Sequence, residues 1–171
     1  MKTGIQTLQD FKEFSHIFKV FESFPFFEKW TEQEIRNEYK LNTDTGYIFG
    51  YYQDGKCVGF ISIRNQHPNE HPVHYGHESK VVYISDLAVL PQYRRQGIAT
   101  QLFEYAVKVA TSKGYEYAYL RINDNNPMAF NIAKKQGFRK EYDSCEVVSR
   151  PHTNHCGRPT EEFRIFMSKK L

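Results

Sequence analysis

The sequence predicts an α/β fold in a single domain, and three observations carry that reading. Apolar runs with strand character alternate with segments of helical spacing through the second half of the chain. Turn and cap residues stand at most junctions between them. The length of 171 residues, with 40% apolar and 25% charged residues, suits one soluble globular domain with a sizeable core.

The elements follow in order. A first strand is read at residues 4–8. Asp10 can cap a helix running to about Ser23, with Phe11, Phe14, Ile17, Phe18 and Phe21 at helical spacing on one face. That stripe is a core face, and Pro25 ends it. Thr31-Glu32-Gln33-Glu34 is a capping box that opens a second helix to about Leu41. Residues 46–52 and 56–64 are strands joined by Asp54-Gly55, a strong hairpin turn. Residues 66–80 form a loop. The apolar run 81–89 is a strand, followed by a basic turn over 90–100 and an amphipathic helix ending near Lys113-Gly114. Residues 115–122 make an aromatic-rich strand. Asn123-Asp124-Asn125-Asn126 are turn residues, and Pro127 suits the first position of a short helix over 128–136, closed by Gly137. Strands near 138–148 and 161–168 flank a loop at 149–160. The order is β-α-α-β-β-β-α-β-α-β-β, with no repeat and no second domain.

Composition excludes several classes. No apolar run approaches the roughly eighteen residues of a membrane span, and the N-terminus shows no signal peptide. The three cysteines, Cys57, Cys145 and Cys156, are an odd number and do not read as a disulfide framework, which fits a reducing cytoplasm. A net charge of +3 is compatible with an anionic ligand and too small to argue for nucleic acid.

The chemistry concentrates in the turn after the 81–89 strand. A helix start presents free backbone N–H groups and the positive end of a dipole, a ready site for a diphosphate. Arg94 and Arg95 add charge, and the small Gly97 and Ala99 let phosphates approach the backbone. The Lys-Ser/Thr pair of a P-loop is missing, as are the three spaced glycines of a dinucleotide turn. What remains, Arg94-Arg95-Gln96-Gly97-Ile98-Ala99, resembles the acetyl-CoA signature of the GNAT acetyltransferase superfamily, Arg/Gln-x-x-Gly-x-Gly/Ala. Asn126-x-x-Ala129 with Gln136-Gly137-Phe138 resembles that family's second motif, at its spacing and in its order. The resemblance covers about residues 47–140.

The resemblance implies a GNAT-like fold spanning residues 1–171, with a mixed central sheet of seven strands flanked by four helices. It implies direct transfer of an acetyl group from acetyl-CoA to a primary amine of a small molecule or peptide. The cofactor's pantetheine arm would pair with the backbone of Leu87, Ala88 and Val89, the Val89 N–H facing the thioester oxygen. Its diphosphate would lie on Arg95, Gln96, Gly97, Ile98, Ala99 and Thr100, with Arg94 beside it, and Asn126 would touch it from the second motif. The amine must lose a proton, because an alkylammonium with a pKa of about 10.4 is not nucleophilic. Relatives often carry a Glu-Asp pair on the strand. Here the pair is Ser85-Asp86, so Asp86 is the expected base. The family's tyrosine acid falls at Ala133, which cannot donate a proton; Tyr142 and Tyr119 are the substitutes considered.

Six of the seven histidines sit in two loops, His67, His71, His74 and His77 in one, His152 and His155 in the other beside Cys156. Their spacing matches no metal-ligand pattern, so no metal is expected, and contact with the acceptor is the better reading. A polycationic acceptor is disfavoured by the mildly basic chain. The partners expected are an amine acceptor, with no nucleic acid and no membrane; a homodimer is compatible with the sequence. Two other readings stay open. One is a non-catalytic acetyl-CoA-binding module, and the other a protein or peptide acetyltransferase acting in a complex.

Overall fold

A computed structural model describes residues 3–24, 29–65, 80–153 and 159–171, and for 142–153 and 159–163 it describes the backbone alone. Seven strands form one sheet in the order β1-β2-β3-β4-β5-β7-β6. The strands are β1 (Gly4–Thr7), β2 (Gly46–Gln53), β3 (Lys56–Arg64), β4 (Val81–Val89), β5 (Tyr117–Asn123), β6 (Arg139–Thr153) and β7 (Pro159–Lys170). The helices are α1 (Phe11–Phe18), α2 (Glu32–Thr45), α3 (Ile98–Ser112) and α4 (Pro127–Lys135). Only β4 and β5 pair in parallel; the other pairs are antiparallel. The expected element order and mixed sheet are both present.

Local chemistry explains most boundaries. Asp10 accepts the N–H groups of Lys12 and Glu13, and the Thr31–Glu34 capping box is formed. The β2–β3 turn has positive φ at Asp54 (51°) and Gly55 (80°), as a tight hairpin requires. Phe14 and Phe18 of α1 pack on Phe60 of β3, with ring centroids 4.8 and 6.4 Å apart. Helices α1 and α2 therefore cover one face of the sheet. Helix α3 covers the other, where Tyr105 meets Phe49 edge to face at 5.1 Å.

Three expectations need correction. The first helix does not stay α-helical to Ser23 but tightens into a 3₁₀ turn over Lys19–Ser23. The three-residue period puts Phe18 and Phe21 on one side, 5.1 Å apart and both buried. Helix α2 runs past Leu41 to Thr45, because the fully buried Asn42 is bonded into the sheet and Thr45 Oγ1 donates back to Leu41 O at 2.7 Å. Most of the loop expected at 149–160 is strand, since β6 and β7 pair out to Thr153 and Pro159. Pro159 is tolerated there as the first strand residue. The loop at 66–80 lies outside the described residues except for Lys80, and His67, His71, His74, His77, His155 and Cys156 lie outside them too.

At the junction of α2 and β2 the chain passes straight from helix to strand at Gly46. A Cβ there would stand 1.9 Å from the Ile63 carbonyl oxygen and 2.5 Å from Arg64 Cα, both backbone. Gly46→Ala must therefore push β3 away from β2. A loss of about 2 kcal/mol or more is expected, read as a lower urea midpoint at unchanged m-value.

Candidate active site

The site begins with a mismatch in strand register. Along β3 and β4 the pairing runs Gly59↔Val89 to Ser62↔Asp86, then resumes as Ile63↔Ile84 and Arg64↔Tyr83. Ser85 is the extra residue of a β-bulge. Tyr83 and Asp86 consequently share a face although they are three residues apart, because their partners Arg64 and Ser62 do. The parallel ladder to β5 ends at the same place, its last pair being Ile84↔Leu120. Beyond that point β4 and β5 separate, and Ser85, Asp86 and Leu87 become partly accessible within an otherwise buried strand.

The separation exposes backbone donors. Leu90 N–H bonds Val58 O at 2.9 Å, so Leu90 and, by alternation, Ala88 face β3. The N–H groups of Leu87 and Val89 then face the gap toward β5. Arg94 Nε donates to Val89 O at 3.1 Å and ties the following turn to the strand end. Its guanidinium lies 5.5 Å from the Phe24 ring centroid, so Arg94 serves first as an anchor of that turn.

The turn itself leaves backbone donors uncovered. Arg95 (φ 62°) and Gly97 (φ 76°) both take left-handed conformations, and Gly97 is the N-cap of α3 with no side-chain cap. The first helical bond is Gln101 N–H to Gly97 O at 3.0 Å, leaving the N–H groups of Ile98, Ala99 and Thr100 without intrahelical partners. The left-handed φ of Gly97 suits no other residue well. Arg95, Gln96 and Gly97 are exposed there. Asn126, the other expected contact, caps α4: its Oδ1 accepts Ala129 N–H at 3.1 Å. It also lines the central cleft, so structural and binding roles coexist at that residue.

The cleft has a volume of about 220 Å³ and reaches from the β4–β5 gap to α2. Asp86 lies on it, within a polar network that sequence reasoning did not anticipate. Asp86 Oδ2 accepts Ser62 Oγ at 2.9 Å and Asn42 Nδ2 at 3.3 Å. Asn42 Oδ1 accepts Ser85 Oγ at 2.9 Å and Arg64 Nη1 at 3.2 Å. Ser62 and Ser85 hydroxyls are 2.7 Å apart, and Arg64 Nη1 bonds Glu38 Oε1 at 2.6 Å with both side chains largely buried. Burial pushes the Asp86 carboxyl up to about 6, Glu38 adds to the rise, and Arg64, Ser62 and Asn42 offset part of it. A carboxylate titrating near 6 can hold or release a proton at neutral pH.

The remaining expected residues fall as follows. Ala133 is fully buried in α4, so that helix offers no phenol. Tyr119 is buried against Tyr83, ring centroids 4.9 Å apart, and does not line the cleft; the Tyr142 side chain lies outside the described residues. Tyr83 does line it, and its hydroxyl accepts Arg121 Nε at 3.3 Å. Among the described residues no group of His, Cys, Asp or Glu is arranged to hold a metal, and no helix is long and apolar enough to cross a membrane.

Comparison with known proteins agrees with this geometry. The model of the acetyltransferase (GNAT) family matches residues 11–138. An N-alpha-acetyltransferase of Sulfurisphaera tokodaii is 35% identical over 89 residues, which are 51% of this chain and 53% of that protein. The matched stretch spans 20% to 59% of the curated relatives' own lengths. In fold, the chain is similar to the ribosomal-protein-S18-alanine N-acetyltransferase of Escherichia coli, with a TM-score of 0.71 at 20% identity, covering 98% of this chain and 92% of that one. It is equally similar to a phosphinothricin acetyltransferase of Sinorhizobium meliloti in complex with AcCoA, with a TM-score of 0.71 at 16% identity, covering 100% and 89%.

The raised Asp86 pKa has a consequence for folding. The native state holds this proton more tightly than the unfolded chain, whose value is near 3.8. Ionising Asp86 therefore costs native stability, nothing below pH 3.8 and the full amount above about 6. Asp86→Asn keeps both accepted hydrogen bonds and removes the charge. It should stabilise the protein at pH 8 by about 1–3 kcal/mol and have little effect at pH 4, as paired urea melts will read.

Proposed function

The chain belongs to the acetyltransferase (GNAT) family, and from that premise we propose that it transfers an acetyl group from acetyl-CoA to a primary amine. The observation that carries this reading is the gap opened by the Ser85 bulge. It brings Asp86 and Leu87 onto the cleft, and the same strand leads on into a helix start with no side-chain cap. The residues fit the thioester co-substrate. Its diphosphate suits the N–H groups of Ile98, Ala99 and Thr100 and the charge of Arg95, with Gln96 and Gly97 alongside. Leu87, Ala88 and Val89 supply strand backbone for an extended amide-bearing arm. The N–H of Val89 is the donor proposed for the carbonyl oxygen that gains charge during transfer.

Acetyl-CoA supplies an activated acyl group; the protein's task is to present an uncharged amine to it. Asp86 is proposed to take that amine's proton, directly or through a water, because Ser62 and Asn42 occupy only its Oδ2. The acid step is left to solvent, since Ala133 stands in the second motif. A cytoplasmic domain spanning 1–171 suits this co-substrate. The non-catalytic alternative draws on Ser85 and Ala133, where two familiar catalytic side chains are missing.

Two measurements test the reading. Gly97→Glu puts a fixed negative charge and a strained backbone at the phosphate turn, and should abolish acetyl-CoA binding in calorimetry; unchanged affinity would dismiss the turn as the site. Asp86→Asn should lower turnover at neutral pH at least tenfold, with a smaller deficit at high pH where free amine forms unaided. The wild-type rate should fall as pH drops through about 6, when Asp86 is protonated. A variant with the wild-type pH–rate profile would leave Asp86 a structural residue.

A further inference from the structure

Helix α2 brings two side chains, Glu38 and Asn42, to the carboxyl of Asp86. They stand four residues apart and so share one face of the helix. Asn42 is fully buried, and the whole bonding capacity of its amide is used. Its Nδ2 donates to Asp86 Oδ2 at 3.3 Å and to Glu38 Oε1 at 3.2 Å. Its Oδ1 accepts Ser85 Oγ at 2.9 Å and Arg64 Nη1 at 3.2 Å. The amide cannot turn round. Reversed, its oxygen would face two carboxyls and its NH2 group the Arg64 guanidinium.

The bond to Asp86 therefore has a fixed direction, with a donor held at Oδ2. Ser62 Oγ donates to the same oxygen at 2.9 Å. The second oxygen, Oδ1, takes no hydrogen bond among the described residues, and Asp86 lines the cleft. Charge acts through the same contacts. Burial is the largest influence on the proton affinity of Asp86; Glu38 adds to the rise, and Arg64, Ser62 and Asn42 oppose it. Glu38 and Arg64 are themselves paired at 2.6 Å. The other charged or titratable groups on the cleft are Tyr83 of β4, Arg121 of β5 and Arg164 of β7.

We propose that Asn42 is a positioning residue for the transfer reaction: it clamps one oxygen of the Asp86 carboxyl, leaves the other to the incoming amine, and couples that carboxyl to the Glu38–Arg64 pair. This rests on the reading of Asp86 as the base. It assigns to α2 a part in the chemistry that neither the strand nor the turn after it supplies.

Two isosteric substitutions separate this role from support of the fold. Asn42→Asp keeps the oxygen that serves Ser85 and Arg64 and replaces the NH2 donors with a carboxylate oxygen. Asp86 should then hold its proton more tightly, moving the acid limb of the pH–rate profile up by about half a pH unit or more. Glu38→Gln keeps the acceptor for Asn42 and Arg64 and removes one negative charge, so the limb should move to lower pH. The double variant shifts one carboxylate from position 38 to position 42 and should return the limb toward its wild-type place. Thiol release from acetyl-CoA with n-butylamine, and with a peptide bearing an N-terminal alanine, gives the profiles. Carbon NMR of protein labelled at its aspartate carboxyls follows the Asp86 titration directly, with Asp86→Asn identifying the signal. The effects should fall on kcat, with acetyl-CoA affinity unchanged in calorimetry.

Shifts of the same sign in both single variants, or a lost rate with an unmoved Asp86 titration, would reduce Asn42 to a structural support and overturn the proposal while Asp86 stands as the base. Where Asn42→Asp fails to fold, Glu38→Gln decides alone, and an Asp86 titration identical to wild type overturns the coupling. A wild-type pH–rate profile in Asp86→Asn overturns the base and this role together.

Discussion

One extra residue in one strand governs the working half of this protein. Without the bulge at Ser85, β4 would continue its parallel ladder to β5 and bury residues 85–87 like residues 81–84. Every feature of the site depends on that failure to pair. It opens the gap, turns the Leu87 and Val89 N–H groups toward it, and brings Asp86 to the face already occupied by Tyr83 and Arg64. A bulge costs ladder hydrogen bonds and persists only where its surroundings hold it. Here the Ser85 hydroxyl is held from both sides, by Asn42 at 2.9 Å and Ser62 at 2.7 Å. The irregular strand is thus pinned by a side chain from α2 and one from β3.

That arrangement sets stability against chemistry. A buried carboxylate is expensive, and the rise of Asp86 to about 6 records how much of that cost its hydrogen bonds fail to offset. An asparagine would be the better residue for folding alone, since the network donates to position 86 and needs nothing donated back. Retaining the acid makes sense if position 86 must change protonation state. The network allows both states. Ser62 donates to the carboxylate when it is ionised, and can accept from it when it is protonated, because the Ser85 hydroxyl stands ready to reorient at 2.7 Å. The fully buried Asn42, with both amide ends engaged, is the fixed point about which the hydroxyls turn.

The two halves of the site differ in how far the sequence reveals them. The turn proposed for the diphosphate is local: strand, Arg94-Arg95, Gly97 and helix follow one another, and caps and left-handed glycines fix each boundary through short-range chemistry. The hairpin at Asp54-Gly55, the Thr31–Glu34 box and the Gly137 cap were legible for the same reason. The polar network around Asp86 is non-local. Asn42 meets Asp86 across 44 residues and Ser62 meets it across 24, and no spacing in the chain encodes those meetings. Pairing and register alone bring Arg64 and Arg121 to either side of Tyr83. Boundaries failed where tertiary contacts overrode local propensity, as in α2, which continues through Asn42 because that side chain has partners in the sheet.

The alanine at position 133 can be weighed by magnitude. Acetyl transfer to an amine makes two proton demands, one on the nucleophile and one on the leaving thiolate. An alkylammonium with a pKa of about 10.4 is free amine to only about one part in 2,500 at pH 7. A thiol with a pKa of about 8.5 leaves as thiolate against a deficit of only about 1.5 units at that pH. A base at position 86 therefore addresses an obstacle of about 4–5 kcal/mol, and an acid at position 133 one of about 2 kcal/mol, taking about 1.4 kcal/mol per pK unit. With Asp86 proposed as the base, a site that lacks the phenol but keeps the carboxyl has given up the lesser of the two proton-transfer groups.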